Sequence, residues 1–239
     1  ATDEFIRMKK PITSDIQLYI TRWWEGGELD DKKETGKNTT QKEEQKRGTI
    51  MTCIIGLVDT VNHCVWIGGD SLESSQCSKS VEHTPKVFKN ELFQNIVIGG
   101  TTSFRHLDLL RYANDLFPEI DWYNKTMIDH RYMVTVFIPN VIKLFKEGVV
   151  SEEEQNRGGS FIVGVNDKLF KVQEDYSVLE PEAGYCAVGC GEDIALGSLY
   201  TTEGLNFAPA DRIKYALEAA EKFSSMVQRP FHVLNTLGE

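Results

Sequence analysis

A threonine at the head of an apolar, β-branched segment is the first residue with an evident chemical use. Thr52 opens the run Thr52–Val58. A threonine hydroxyl is a weak nucleophile until a base lies beside it. If the peptide bond before Thr52 is cut, the released α-amine has a pKa of about 8 and can accept the hydroxyl proton at neutral pH. Taken alone, a threonine at the start of a strand is more often only a strand-forming residue.

Two charged residues downstream could support such a hydroxyl. Asp70 follows two glycines at the end of a second apolar segment, and Lys86 lies in the stretch 84–88, which reads TPKVF. A buried lysine that is ion-paired to an aspartate lowers the pKa of a neighbouring hydroxyl and balances the charge of the site. Each residue alone also fits a plainer interpretation, a turn aspartate or a surface lysine. As a set, the three residues predict a nucleophile with a supporting pair.

A hairpin would bring the first two of these residues together. Residues 52–58 and 63–69 have the composition of strands, and the turn-forming residues 59–62 lie between them. Pairing of these strands places Asp70 near Thr52.

The remaining segments predict a layered α+β fold. Helical spacing of apolar residues predicts helices at 101–117, 130–147, 191–202 and 209–224, and Pro139 should start, kink or divide the second of them. Further strands are predicted at 85–89, 93–98, 160–165, 168–173, 185–188 and 231–234. Runs of strands that alternate with helix pairs indicate two antiparallel sheets face to face with a helix pair outside each, a four-layer αββα sandwich.

Several short motifs, in this order, resemble the β-type subunits of proteasomes, and above all the bacterial proteasome-like peptidase that works beside an unfoldase ring. They are TCIIG at 52–56, GGDS at 68–71, KV at 86–87, IGGT at 98–101, AVGCG at 187–191 and FH at 231–232. The spacing of sixteen residues between Asp70 and Lys86 agrees with that family, although the hairpin has about two extra residues before Asp70. The resemblance covers roughly residues 52–236 and implies an N-terminal-nucleophile hydrolase fold.

The resemblance also implies roles for individual residues. Thr52 would be the nucleophile of a threonine peptidase, and Asp70 and Lys86 would be its supporting pair. The backbone N–H near Gly100 would be the oxyanion donor, because adjacent glycines let the backbone approach a substrate closely.

Other positions would flank the nucleophile. Thr101 and Ser103 would line a specificity pocket. Cys190 stands where the family usually has a serine beside the nucleophile, and a thiol is a poor hydrogen-bond donor, which weakens the expected activity. Cys53 lies one residue too late to act as the N-terminal nucleophile itself.

Two functions are therefore open. The first is a threonine peptidase that hydrolyses peptide substrates once the chain is cut before Thr52. In the uncut chain the Thr52 nitrogen is an amide and cannot accept a proton, so the second is a catalytically silent subunit of a larger assembly, a ring or a virion-like particle. The resemblance implies a homo-oligomer in either case.

The first fifty residues differ from the rest. Residues 16–24 alternate like a strand and end in two tryptophans, which should dock on the body or on a partner. Residues 25–48 are rich in Gly, Lys and Glu and have the composition of a charged linker. We therefore expect an N-terminal arm or propeptide-like extension at 1–51, which could dock on a partner through residues 1–50, and a hydrolase-like domain at 52–239.

Charge and composition exclude several classes of protein. Ten of the 26 basic and ten of the 36 acidic residues lie in residues 1–50, so the remainder carries 16 basic and 26 acidic residues and the whole net charge of −10. An acidic body repels phosphate backbones, which argues against nucleic-acid binding. No apolar run is long enough to span a membrane.

Cysteine and histidine spacing predicts neither a metal site nor a cofactor. The five cysteines form no C-x-x-C array, and the five histidines make no metal set. Free thiols are typical of a reducing compartment, which predicts a cytoplasmic location.

Overall fold

The computed structural model describes residues 52–75, 78–81, 84–101, 103–118, 128–149 and 159–238. All of them lie within one unit, Thr49–Glu239. The predicted N-terminal arm and linker at 1–51 fall outside the described residues, so the proposed division of the chain at residue 52 stays a prediction.

The described strands form two sheets and a separate hairpin. They are β1 (Cys53–Asp59), β2 (Cys64–Gly69), β3 (Leu72–Ser75), β4 (Ser78–Val81), β5 (Val87–Lys89), β6 (Ile96–Gly100), β7 (Phe161–Val165), β8 (Lys168–Val172), β9 (Val178–Leu179), β10 (Tyr185–Gly189) and β11 (His232–Asn235). One sheet has the order β10-β1-β2-β11 and the other the order β5-β6-β7-β8-β9, and every pair of neighbouring strands is antiparallel. Strands β3 and β4 pair only with each other.

The described helices fall into two groups along the chain. They are α1 (Phe104–Tyr112), α2 (His130–Tyr132), α3 (Ile138–Gly148), α4 (Glu192–Thr201) and α5 (Pro209–Phe223), and a π-helical segment, Met133–Phe137, joins α2 to α3. Within the described part of the chain, no helix is long and apolar enough to cross a bilayer.

Three buried clusters show how these elements are layered. Successive side chains of β1 point to opposite faces: Ile54 packs between the two sheets, while Ile55 packs against α4 and α5. On the far side of the second sheet, α1, α3 and the π-helical segment bury a third cluster that includes Phe137 and Phe145. The order helices, sheet, sheet, helices is the αββα sandwich predicted from the sequence, which is confirmed.

The first hairpin forms as predicted. Strands β1 and β2 pair with Ile54 opposite Gly69 and Asp59 opposite Cys64. The carboxylate of Asp59 accepts hydrogen bonds from the backbone N–H groups of Val61 and Asn62 and so closes the turn. His63, which was expected in a strand, lies in this turn with φ of 51°.

Other elements differ from the predictions. The hairpin of β3 and β4 and the short strand β9 were not predicted, because their sequences are short or polar and carry no clear alternation. Helix α1 ends at Tyr112 rather than Phe117, and the side-chain amide of Asn90 donates to the Leu110 and Ala113 carbonyls at its end. Pro139 lies at the start of α3, directly after the π-helical segment. It therefore starts a helix, which is one of the three effects predicted for it.

Candidate active site

Thr52, Asp70 and Lys86 meet at the head of β1. The Thr52 hydroxyl donates to Asp70 Oδ1, and Lys86 Nζ donates to Thr52 Oγ1 at 2.9 Å. Lys86 Nζ also lies 3.4 Å from Asp70 Oδ1. All three residues are buried, with exposed fractions of 1%, 0% and 5%. The structure therefore brings together the three residues that the sequence singled out.

Backbone groups hold the Asp70 carboxylate in place. Its Oδ1 accepts from the N–H of Cys53 at 2.9 Å, and its Oδ2 accepts from the N–H groups of Leu72 at 3.0 Å and Gln228 at 3.4 Å. The register of the first hairpin explains the position, because Asp70 comes directly after Gly69, the partner of Ile54. Several donors and a neighbouring ammonium offset the cost of burying a carboxylate.

Lys86 reaches the threonine from the opposite sheet. It immediately precedes β5, an edge strand of the second sheet, whereas Thr52 and Asp70 belong to the ends of β1 and β2 in the first. Its Nζ also donates to the Leu72 carbonyl. With acceptors on Thr52, Asp70 and Leu72, the three ammonium hydrogens each have an oxygen in reach. The packing of the two sheets thus assembles the site.

The Gly100 amide, near which the oxyanion donor was predicted, takes part in strand pairing. Its N–H donates to the Lys86 carbonyl at 3.2 Å, because β5 and β6 pair in this register. A Cβ at Gly100 would lie 2.7 Å from Leu107 Cδ2, so the glycine makes room for helix α1. Strand pairing therefore uses the Gly100 hydrogen in this structure, and the assignment of an oxyanion donor near Gly100 stays a prediction.

Thr101 and Ser103, the predicted lining of a specificity pocket, have structural contacts. Thr101 is buried, and its N–H and hydroxyl both donate to the Ser160 carbonyl, at 2.9 and 3.0 Å. Ser103 caps helix α1, and its hydroxyl accepts from the N–H of His106 at 3.2 Å. These contacts account for both residues without a substrate.

Cys190 lies in a segment that packs directly on Thr52. The N–H of Gly191 donates to the Thr52 carbonyl at 3.3 Å. Gly189 has φ of 97°, and a Cβ there would lie 2.4 Å from the Thr52 carbonyl oxygen, so only glycine fits. Cys190, between these two glycines, is exposed. The structure thus places the predicted neighbour of the nucleophile in a segment that touches it.

The other described cysteines are buried and form no disulfide with one another. They are Cys53, Cys64 and Cys186. Burial, with a smaller contribution from the charge of Asp70, raises the pKa of the Cys53 thiol far above its usual range. A thiol that stays protonated and buried is a poor nucleophile, which agrees with the view that Cys53 is not the reactive group.

The sequence analysis did not identify the residues whose backbone N–H groups contact Asp70 or Thr52. The amides of Leu72, Gln228 and Gly191 contact Asp70 or Thr52, and any non-proline residue could supply them. Ser71 adds a further tie, because its hydroxyl donates to the Pro230 carbonyl at 2.8 Å. No signal in the sequence could have identified these contacts, which depend on how distant segments pack.

Metal binding finds no support among the described residues. Within them, no three His, Cys, Asp or Glu side chains are grouped so that they could hold a metal ion. His106 stacks on Phe145 with ring centroids 4.0 Å apart, and His130 Nε2 lies 3.0 Å from the Val178 carbonyl. These two histidines therefore have structural roles.

Comparison with known proteins identifies the fold. No protein-family model matches the sequence, and no curated protein matches it. Among solved structures, BPH of Thiobacillus denitrificans in complex with epoxomicin matches with a TM-score of 0.62 at 16% identity, over 77% of this chain and 97% of that chain. A second structure of the same protein matches with a TM-score of 0.61 at 17% identity, over 77% and 97% of the two chains.

A eukaryotic protein has the same fold. HslV of Trypanosoma brucei matches with a TM-score of 0.55 at 17% identity, over 77% of this chain and 98% of that chain. At such identities the likeness shows the fold alone. The chain therefore has the αββα fold of these proteins, which confirms the fold that the resemblance implied.

Proposed function

We propose that this chain, which has a proteasome-type fold, is a threonine peptidase that hydrolyses amide bonds with Thr52 after cleavage of the Met51–Thr52 bond. The observation that carries the proposal is the contact of the Thr52 hydroxyl with both the Asp70 carboxylate and the Lys86 ammonium at the head of β1. Burial of a carboxylate and an ammonium costs desolvation free energy, and charged groups buried around one hydroxyl are typical of functional sites. Activation of the Thr52 hydroxyl would explain why both charges are buried here.

The first chemical step is cleavage of the chain itself. The Thr52 hydroxyl attacks the Met51 carbonyl carbon, and the C–N bond to Thr52 breaks as its nitrogen takes up a proton. The product is an ester between Met51 and the Thr52 oxygen. Water then hydrolyses this ester, which releases the upstream segment as a carboxylate and leaves Thr52 with a free amine and a free hydroxyl.

Peptide hydrolysis follows the same course with an external substrate. The free amine of Thr52 accepts the hydroxyl proton, and the positive charge of Lys86 favours the developing alkoxide. The oxygen attacks the substrate carbonyl, and the amine leaving group takes a proton as an ester forms on Thr52. Water hydrolyses that ester and restores the enzyme. The Asp70 carboxylate balances the charge of Lys86 and keeps the ammonium against the hydroxyl.

Covalent labelling tests this proposal directly. Epoxomicin, the compound bound to BPH of Thiobacillus denitrificans, should attach to Thr52 of the processed protein and abolish hydrolysis of peptide substrates. Thr52→Ala should neither be labelled nor hydrolyse peptides. Thr60→Ala, at an exposed turn position, should behave like the wild type. Equal labelling of the wild-type and Thr52→Ala proteins would contradict the proposal.

A second candidate function is a catalytically silent subunit of a larger assembly. In the uncut chain Thr52 is only 1% exposed and its nitrogen is an amide, and the Gly100 N–H is engaged in strand pairing. Large apolar side chains are also exposed from α4 to the end of α5, as is common where subunits meet; they are Tyr200, Leu205, Phe207, Tyr215 and Phe223. This candidate predicts an intact chain that is never labelled at Thr52.

Oligomeric state, partner contacts, cofactor requirement and location are expected to be the same for either function. We propose that the chain forms a homo-oligomer, contacts any larger assembly through residues 1–50, and works without a cofactor. Its four described cysteines form no disulfide with one another, which supports a reducing compartment such as the cytoplasm, or a particle assembled there.

A further inference from the structure

A partly buried ion pair lies beside the candidate site and has no part in the chemistry described above. Lys171 Nζ lies 2.5 Å from Glu192 Oε1, and the two side chains are only 18% and 32% exposed. An exposed ion pair contributes little to stability, whereas removal of one partner of a partly buried pair leaves the other charge poorly compensated.

The pair joins the two halves of the sandwich. Lys171 lies on β8 of the second sheet, two residues after Leu169, whose side chain packs between the sheets. Residues two apart on a strand share a face, so Lys171 also points toward the first sheet. Glu192 is the first residue of α4, which covers the outer side of that first sheet. The ion pair therefore ties β8 to the start of α4.

The start of α4 is also the end of the segment that contacts Thr52. Glu192 directly follows Gly191, whose N–H donates to the Thr52 carbonyl. A Cβ at Gly191 would lie 2.7 Å from Cys53 Cβ, and one at Gly189 would lie 2.4 Å from the Thr52 carbonyl oxygen. Residues 189–191 therefore pack against the backbone of Thr52 and Cys53 with no room between them.

The capping residue of α4 adds no side-chain hydrogen bond at the helix start. The N-cap residue of α4 is Gly191, which offers no side chain to bond the first amides of the helix. Gly189 is in a left-handed conformation. The carboxylate of Glu192 lies in the first helical turn, where a negative charge is favourable, and Lys171 holds it from across the sandwich.

We propose that Lys171 and Glu192 are a positioning pair that fixes residues 189–191, including Cys190, against Thr52. The effect on catalysis rests on the proposed peptidase function, but the effect on the position of the segment does not. Loss of either charge should loosen the contact between Gly191 and Thr52 while the two sheets stay folded.

Hydrogen exchange of the Gly191 amide tests the position without any need for activity. Lys171→Met and Glu192→Gln should each speed this exchange on the order of tenfold, while amides of β6 and β7 keep their rates. The double variant should show the effect of a single one, because the two charges act as a pair. Lys171→Arg should retain the wild-type rate.

Two neighbouring charges provide matched controls. Lys168→Met lies on the same strand and Asp193→Asn in the same helical turn, and neither residue forms a described ion pair. Both controls should leave the Gly191 rate within about twofold of wild type. The inference is overturned if Lys171→Met and Glu192→Gln match the controls, if their effects add in the double variant, or if every core amide speeds up equally.

Reaction of Thr52 with a threonine-directed covalent inhibitor extends the test to function. In the processed protein, both single variants should lower the labelling rate several-fold, and Lys171→Arg should restore it. Absence of labelling in the wild type would defeat the peptidase proposal and leave the exchange result to decide the positioning role. Faster Gly191 exchange with unchanged labelling would overturn the link between this pair and the nucleophile.

Discussion

Asp70 connects three segments that are far apart in the sequence. It accepts hydrogen bonds from the hydroxyl of Thr52, from Lys86 and from three backbone N–H groups, including that of Gln228. Removal of one partner of a buried ion pair leaves the other charge uncompensated. At the residue scale, we therefore expect the candidate site to contribute to stability as well as to chemistry.

Replacement of Asp70 by Asn should lower the free energy of unfolding by about 3 kcal/mol, because Lys86 would stay buried without its counter-charge. Urea denaturation checks this value. Asp193→Asn removes the same charge from an exposed position of α4 and should change the free energy of unfolding by less than about 0.5 kcal/mol. If Asp70→Asn lowers the free energy of unfolding as little as the control does, the described contacts of Asp70 with Thr52 and Lys86 are contradicted.

Thiol labelling should separate Cys190 from its buried neighbours. Cys190 is exposed, whereas burial raises the pKa of the Cys186 thiol to about 12. Iodoacetamide at pH 8 should therefore modify Cys190 in the native protein at least tenfold faster than Cys53 or Cys186, as measured by peptide mass spectrometry. Comparable rates at all three positions would contradict the burial of Cys53 and Cys186.

The sequence was sufficient to find the chemical groups but not their partners. Thr52, Asp70 and Lys86 are recognisable by type and spacing, and the structure places their side chains in contact. The glycine pair at 99–100 indicated a close approach of the backbone to another group but could not identify that group. The neighbour turned out to be Leu107 of α1.

At the element scale, the turn into α4 determines how closely β10 approaches Thr52. Gly189→Ala would force a side chain into left-handed backbone and against the Thr52 carbonyl oxygen, 2.4 Å away. We expect a loss of at least about 2 kcal/mol in the free energy of unfolding. The matched control is Gly197→Ala within α4, where no atom lies within 4 Å of the added Cβ.

That control should raise the free energy of unfolding by about 0.5–1 kcal/mol, because alanine restricts the unfolded chain and favours helix. Chemical denaturation of the two variants side by side is the measurement. The account of this turn fails if Gly189→Ala is as stable as the wild type.

The loop between α5 and β11 supports Asp70 and is itself tied by an ion pair. Hydrogen bonds from Arg229 lower the pKa of the Glu221 carboxyl below its ordinary value of 4.5. The stabilisation is therefore fully present above pH 4.5 and is lost as the pH falls through the folded-state value. Glu221→Gln should unfold at a lower temperature than the wild type at pH 7, and this difference should vanish near pH 2.

Thermal melts of both proteins across that pH range check the prediction, and a difference that persists unchanged at pH 2 would contradict it.

At the element scale, the first hairpin and the main helices could be predicted from the sequence, because their apolar residues recur with clear periods. The β3–β4 hairpin could not, because its residues, LESS and SKSV, are mostly polar and short.

At the scale of the whole molecule, the sandwich explains why the site needs both sheets. Thr52 and Asp70 come from the first sheet and Lys86 from the second, so the site exists only when the sheets have packed. The sequence predicted this architecture from the order of strands and helices. It could not predict contacts between residues far apart in the sequence, such as the hydrogen bond from Gln228 to Asp70, because these contacts depend on the final packing.

The proposed homo-oligomer has a simple consequence. Light scattering on the purified protein should give a mass that is a multiple of the 27.1 kDa chain, or of its processed form. A mass equal to one chain at micromolar concentration would contradict the proposal.

The identity of the N-terminus tests the central claim most directly. Mass spectrometry of the purified full chain should find a species that begins at Thr52, and Thr52→Ala should abolish it while Thr60→Ala should not. Persistence of the intact chain alone, under conditions in which the protein is folded and assembled, would contradict the peptidase account and favour the silent subunit.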